Sequence, residues 1–150
     1  MNLQKARSTD VDEISALRQR TIQQLKGYHP DIINLLLTKN SPEGIRQQMQ
    51  EKQMLCAVRD DRILGTVDVQ NNLMSGLYVD PAHQKEGIGT ALLTAAEKQI
   101  HRDGHTTVLL YSTLSAESFY RKHGYTLVRY ETGWKDIHPT KVPVMKKHLS

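Results

Sequence analysis

LYVDPAHQKEGIGTALL, residues 77–93, runs from an apolar strand end (Leu77, Tyr78, Val79) through an Asp80-Pro81 turn into the loop Gln84-Lys85-Glu86-Gly87-Ile88-Gly89. A helical pattern follows at once. Proline presets the turn, and glycine removes side chains where a backbone must approach a ligand closely. The first N–H groups of the helix and its positive dipole end would face the same space, which suits an anion. The same glycine spacing also arises where a loop merely packs tightly on a helix. Two nucleotide motifs do not fit: a dinucleotide fingerprint needs a third glycine where Leu92 stands, and a mononucleotide phosphate loop needs a lysine that does not follow Gly89.

Upstream of this stretch, Met54 to Val58 and Ile63 to Gln70 read as strands joined by an Asp60-Asp61 hairpin turn, and Asn71-Asn72 turns into Leu73 to Val79. Downstream, Ile88, Ala91, Leu92, Ala95 and Ala96 share one face of a helix that runs to about Arg102 and stops at Gly104. Thr106 to Ser112 is apolar and β-branched, as expected of a strand buried on both faces and parallel to Leu73–Val79. The unit is then a βαβ crossover.

Toward the N-terminus, Leu3 to Arg7 is a short strand, and Thr9 with Asp12 has the form of a capping box for a helix from Asp10 to Leu25. Asp31 to Thr38 is a short helix after the break Gly27-Tyr28-His29-Pro30, and Ser41-Pro42 opens another that runs to Glu51. Toward the C-terminus come a helix from Ser115 to His123, a stop at Gly124, a strand Tyr125 to Tyr130, a loop Glu131 to Thr140 and a last strand Val142 to Met145. The order β-α-α-β-β-β-α-β-α-β-β predicts one α/β domain over residues 1–150 with a mixed sheet.

The chain has 150 residues, 38% hydrophobic and 24% charged, which suits one globular core. No apolar run approaches a membrane span and the N-terminus lacks a signal-peptide core, so a soluble cytoplasmic protein is expected. Net charge is +4, with ten basic and nine acidic side chains in residues 1–75 and ten and seven in residues 76–150. Nucleic-acid domains cluster their basic residues, and these are scattered, so nucleic acid is not an expected partner. The seven histidines show no metal spacing, and Cys56, the one cysteine, lies in an apolar run as a core thiol.

The loop resembles the pyrophosphate loop of the GNAT superfamily of N-acetyltransferases, Q/R-x-x-G-x-G/A, through Gln84, Gly87 and Gly89. The flanking L-Y-V-D-P and A-L-L are similar to the family as well, as is Ser115-Ala116-Glu117-Ser118-Phe119-Tyr120-Arg121-Lys122-His123-Gly124-Tyr125. The resemblance covers roughly Leu55 to Leu149. It implies a GNAT-like mixed, mostly antiparallel sheet flanked by helices, with splayed parallel strands, and acetyl-CoA as cosubstrate without a metal.

By the resemblance, backbone N–H groups over Gln84, Lys85, Glu86, Gly87, Ile88, Gly89 and Thr90 would hold the diphosphate. Leu77, Tyr78 and Val79 would pair with the pantetheine arm, with the Val79 N–H facing the thioester oxygen. Ser115, as a helix cap, would touch the cofactor. Tyr120 would be the general acid that protonates the leaving thiolate; without the resemblance, Phe119-Tyr120 reads first as an aromatic pair filling core. Acceptor contacts would come from Tyr28, His29, Glu131, Trp134 and Asp136, with a small amine or a protein amine as acceptor and a homodimer left open.

Two departures from the family pattern stand out. Ser115 replaces an asparagine common among relatives, and Leu73 stands where many carry a glutamate as general base. Asp68 could replace that base through a water, or simply face solvent from its strand. A catalytically silent CoA-binding or acyl-CoA-sensing domain is therefore the competing reading.

Overall fold

The computed structural model describes residues 1–132 and 141–150. Its elements are β1 (Asn2–Lys5), α1 (Val11–Gln23), α2 (Pro30–Lys39), α3 (Pro42–Glu51), β2 (Gln53–Arg59), β3 (Arg62–Gln70), β4 (Leu73–Val79), α4 (Ile88–Arg102), β5 (Thr107–Tyr111), α5 (Glu117–Lys122), β6 (Thr126–Glu131) and β7 (Val142–His148). No described helix is long and apolar enough to cross a membrane.

The strands form one seven-stranded sheet in the order β1-β2-β3-β4-β5-β7-β6. Every neighbouring pair is antiparallel except β4 with β5. This is the mostly antiparallel α/β sheet with a parallel crossover that the sequence predicts. The β2–β3 turn places Asp60 and Asp61 at φ +53° and +59°, the left-handed pair that matches a two-residue hairpin to strand twist.

Two apolar layers cover the sheet. On one face, Ile88, Leu92, Leu93, Ala96 and Ile100 of α4 pack with Val67, Met74, Leu110 and Tyr120. On the other, Val11, Ile14 and Leu17 of α1 pack with Ile45 of α3 and with Met54, Cys56 and Ile63. Cys56 is fully buried, and burial pushes its thiol up to about 12.

Three local expectations are corrected. Thr9 and Asp12 do not cap α1; instead the Asp10 carboxylate accepts from the Arg7 backbone N–H at 2.8 Å and from the Arg7 guanidinium, across a short 3-10 turn. β5 is not buried on both faces: Val108 and Leu110 pack in the α4 layer and are buried, while Tyr111, which alternation turns to the opposite face, is exposed. β7 continues past Met145 to His148, paired with β5 throughout.

Candidate functional site

The parallel pair β4–β5 is short. Leu73 aligns with Leu109 and Met74 with Leu110, and no further pairing follows. The rest of β4, Ser75 to Val79, therefore presents an unpaired edge where the two strands part. β4 is also bulged there: Asp68 aligns with Ser75 and Thr66 with Tyr78, so Gly76 and Leu77 together oppose Val67 alone. Gly76 takes φ +58°, a conformation that favours glycine.

On the β3 side, the Asp80 N–H donates to the Leu64 carbonyl at 2.8 Å. Successive strand N–H groups point to opposite edges, so that of Val79, one residue earlier, is directed to the open edge. Strand alternation also sorts the side chains. Leu77 and Val79 pack against the α4 layer, while Tyr78 lies on the α1 side with the Arg18 guanidinium 4.9 Å from its ring centre. By the same alternation the Tyr78 N–H is directed toward β3, so the structure places neither that donor nor the Tyr78 side chain at the open edge.

The glycine loop leads directly into α4. Lys85 at φ +66° and Gly87 at φ +82° are both left-handed, and the Gly87 carbonyl accepts from the Ala91 N–H at 3.1 Å to begin the helix. Ile88, Gly89 and Thr90 then supply first-turn N–H groups that no residue four back can accept. A Cβ on Gly89 would stand in ordinary contact, 3.5 Å from Phe119 Cζ and 3.7 Å from Val79 Cγ2. That contact joins loop, open edge and α5. Glu86 adds no repulsion for an anion, because Arg59 at 2.8 Å and His83 at 3.2 Å pair with its carboxylate; the Arg59 hydrogen bond holds that carboxyl below its ordinary range.

Beyond β5, Thr113 rather than Ser115 caps the next helical turn: its hydroxyl accepts from the Ala116 N–H at 3.2 Å, and Ser115 Oγ stands 3.1 Å from it. The expected long helix is a 3-10 turn, Leu114–Ala116, followed by α5. Tyr120 is buried at 7% exposure, edge-on to Phe119 and Tyr125 at 5.2 and 5.7 Å between ring centres. Burial raises its phenol well above the ordinary value, so it stays protonated. His123 spans from α5 to α4, with Nε2 at 3.1 Å from Thr90 Oγ1 and Nδ1 at 2.8 Å from the Phe119 carbonyl.

Sequence reasoning missed Arg18. Its side chain is 1% exposed on α1, and it donates to Thr66 Oγ1 (3.1 Å), Asn40 Oδ1 (3.2 Å), Gln48 Oε1 (3.4 Å), Asp68 Oδ1 (2.8 Å) and the Gly76 carbonyl (3.5 Å). Burial works against the charge, but Asp68 outweighs it. A signal existed: Arg18 lies four residues after Ile14 and seven after Val11, on the helix face that carries the apolar stripe. The expectation that Asp68 faces solvent is overturned, because its side chain is 1% exposed and held by that guanidinium. Among the described residues its Oδ2 has no hydrogen-bond partner, with Lys52 Nζ 3.9 Å away.

The expected acceptor residues are only partly gathered. The Tyr28 hydroxyl bonds with Thr113 beside the end of β5, and burial raises its phenol despite that bond. His29 Nδ1 accepts from the Asp31 N–H at the start of α2, and Glu131 pairs with Arg129 on the outer strand β6. Trp134 and Asp136 lie outside the described residues. A cleft of about 400 Å³ between the C-terminal half of α4 and the end of β7, lined by Glu97, Arg102 and Lys147 among others, is remote from the glycine loop. It contains none of the expected site residues, and the parted strands are the better-founded site.

No curated protein matches the chain. Among solved structures the fold is similar to a GCN5-related N-acetyltransferase from Rhodopseudomonas palustris (TM-score 0.89, 20% identity, 99% of this chain and 95% of that one). It is also similar to the PaiA N-acetyltransferase of Thermoplasma acidophilum in complex with coenzyme A (TM-score 0.80, 20% identity, 98% of each chain). A third similarity is to the aminoglycoside 6'-N-acetyltransferase of Enterococcus faecium (TM-score 0.74, 18% identity, 99% and 97%). The model of the acetyltransferase (GNAT) domain matches residues 24–141, from the end of α1 to the start of β7 and across both the parted strands and the glycine loop; the chain belongs to the GNAT family.

Proposed function

We propose that the whole chain acts as one acetyltransferase domain that moves an acetyl group from acetyl-CoA to an amine. The observation that carries this reading is the unpaired edge of β4 opening beside the uncapped first turn of α4. Acetyl-CoA, when bound, supplies an acyl group activated as a thioester. The N–H groups of Ile88, Gly89 and Thr90, with the helix dipole behind them, would hold its diphosphate. The edges of Leu77 and Val79 would hold the pantetheine arm as if it were an added strand.

In this reading the Val79 N–H stabilises the charge that grows on the carbonyl oxygen as the amine attacks. Tyr120 donates its proton to sulfur as the C–S bond breaks. A phenol raised by burial is a weak acid, so its benefit is greatest where negative charge on sulfur is greatest, in the transition state. The tyrosinate then recovers the proton that the attacking nitrogen releases.

Leu73 offers no carboxylate, and Asp68 is committed to Arg18. With neither of these as base, this reading has the acceptor lose its own proton to solvent, and kcat/KM should rise with pH toward the acceptor's pKa, ~10.4 for an alkylamine. A plateau near neutral pH would point to a base on the protein.

The test is calorimetry with CoA together with thiol release from acetyl-CoA in a panel of amines. Gly89→Val should remain folded, since its Cβ meets only ordinary contacts, yet lose CoA affinity by about tenfold or more as a side chain enters the diphosphate's approach. Unchanged affinity would remove the loop from the site. Binding of CoA by the parental protein with no thiol release from any amine would favour a silent CoA-binding domain.

A further inference from the structure

We infer that the buried Arg18–Asp68 pair is a positioning device for the cofactor edge of β4; this rests on the reading above, in which that edge holds the pantetheine arm. The pair does not touch the open edge itself. It grips the bulge that shapes it. Arg18 Nη2 donates both to Asp68 Oδ1 at 2.8 Å and to the Gly76 carbonyl at 3.5 Å. The other carboxylate oxygen lies against the Gly76 backbone: a Cβ there would come within 2.4 Å of Asp68 Oδ2. Gly76 is thus held by a donor on its carbonyl and walled by a carboxylate at its Cα.

Downstream of Gly76 the strand re-enters register at Tyr78, whose ring stacks on the same guanidinium. The direction of the Leu77 and Val79 backbone groups is therefore set between two points that Arg18 holds. The remaining donors reach Thr66 on β3, Asn40 at the end of α2 and Gln48 on α3. One planar fork ties the bulge to three other elements.

A buried ion pair is poor evidence for stability, because apolar side chains of similar size often fold as well or better. That property supplies the test. The double variant Arg18→Met/Asp68→Leu removes both charges together, and Arg18→Lys keeps a charge for Asp68 while losing the fork. Titration calorimetry would compare acetyl-CoA with 3'-phosphoadenosine 5'-diphosphate, the half of the cofactor that lacks pantetheine.

In the folded variants, the nucleotide half should bind within about twofold of the parental protein, while acetyl-CoA should weaken about tenfold, as one or two backbone hydrogen bonds are lost. Equal weakening of both ligands would mean a general structural defect, and unchanged affinity for both would mean that the bulge needs no such support. Either result overturns the inference. If the parental protein binds the nucleotide half as tightly as acetyl-CoA, β4 holds no pantetheine and the underlying reading fails instead.

Discussion

The glycine loop and the Arg18 network lie against the two ends of the same β4 segment and are built in opposite ways. The loop, Gln84 to Thr90, uses contiguous backbone, left-handed at Lys85 and Gly87, and leaves the first-turn N–H groups of α4 without helical acceptors. The network joins one side chain to side chains 22 to 50 residues away and to a backbone carbonyl 58 away, closes every direction of one guanidinium and excludes solvent from its charges. Local chain geometry suffices to offer N–H groups to an anion. Fixing the shape of a strand edge needs distant elements to agree.

The largest test of this contrast lies on the loop side, where chemistry should be sensitive and folding should not. Tyr120→Phe keeps the ring and its contacts with Phe119 and Tyr125 and removes only the hydroxyl. Thiol release in single turnovers should fall by ~10² to 10⁴, the usual span of general acid catalysis, with melting temperature and CoA affinity nearly unchanged. An acetyl thioester of a more acidic thiol should recover much of the loss. Parental turnover in the variant would return Tyr120 to core packing.

Two glycines set the regions side by side. Gly87 at φ +82° has open space where a Cβ would go, so Gly87→Ala should cost only the left-handed strain of about 1–2 kcal/mol. Gly76 at φ +58° has Asp68 Oδ2 within 2.4 Å of that position, so Gly76→Ala should add roughly 1–3 kcal/mol of overpacking to the same strain. Urea denaturation of both variants measures the difference. Equal costs would mean that the network yields easily and does not wall the bulge.

The smallest expected effect concerns Asp80, at the junction between β4 and the loop. Burial alone would raise its carboxyl, but the Ala82 N–H and the Arg20 guanidinium outweigh it and hold it below its ordinary range. Its folded pKa therefore lies under the unfolded value of ~3.9. The contribution is fully present above that value and is lost as pH falls through the lowered one. Arg20 is half exposed, so the contribution should stay under about 1 kcal/mol. Stability followed from pH 6 downward should decline less in Asp80→Asn than in the parental protein; parallel curves would show that the pair is inert.

Much of this was legible in residue order. The strand-loop-helix of residues 77–93, the hairpin at Asp60-Asp61, Ser41 as cap of α3 and the extent of α4 all appear where periodicity and turn chemistry place them. Asp68 was misread because an acidic residue within a strand looks solvent-facing until its partner is known, and that partner lies 50 residues away. Ser115 was misread as the cap because the helical turn begins two residues earlier, where the Thr113 hydroxyl accepts from the Ala116 N–H.

The order of elements, the parallel crossover and the glycine-bearing loop ahead of α4 followed from the sequence alone, because hydrophobic period, turn preference and helix starts depend on residues a few positions apart. Three matters were decided only by tertiary structure: the parting of β4 from β5 after Met74 and Leu110, the turning of Tyr78 toward Arg18, and the burial of the Arg18–Asp68 pair. Each depends on which distant side chains meet inside a water-excluded interior. There a charge without its partner costs far more than at a surface, and that cost selects the one arrangement in which both charges are paired.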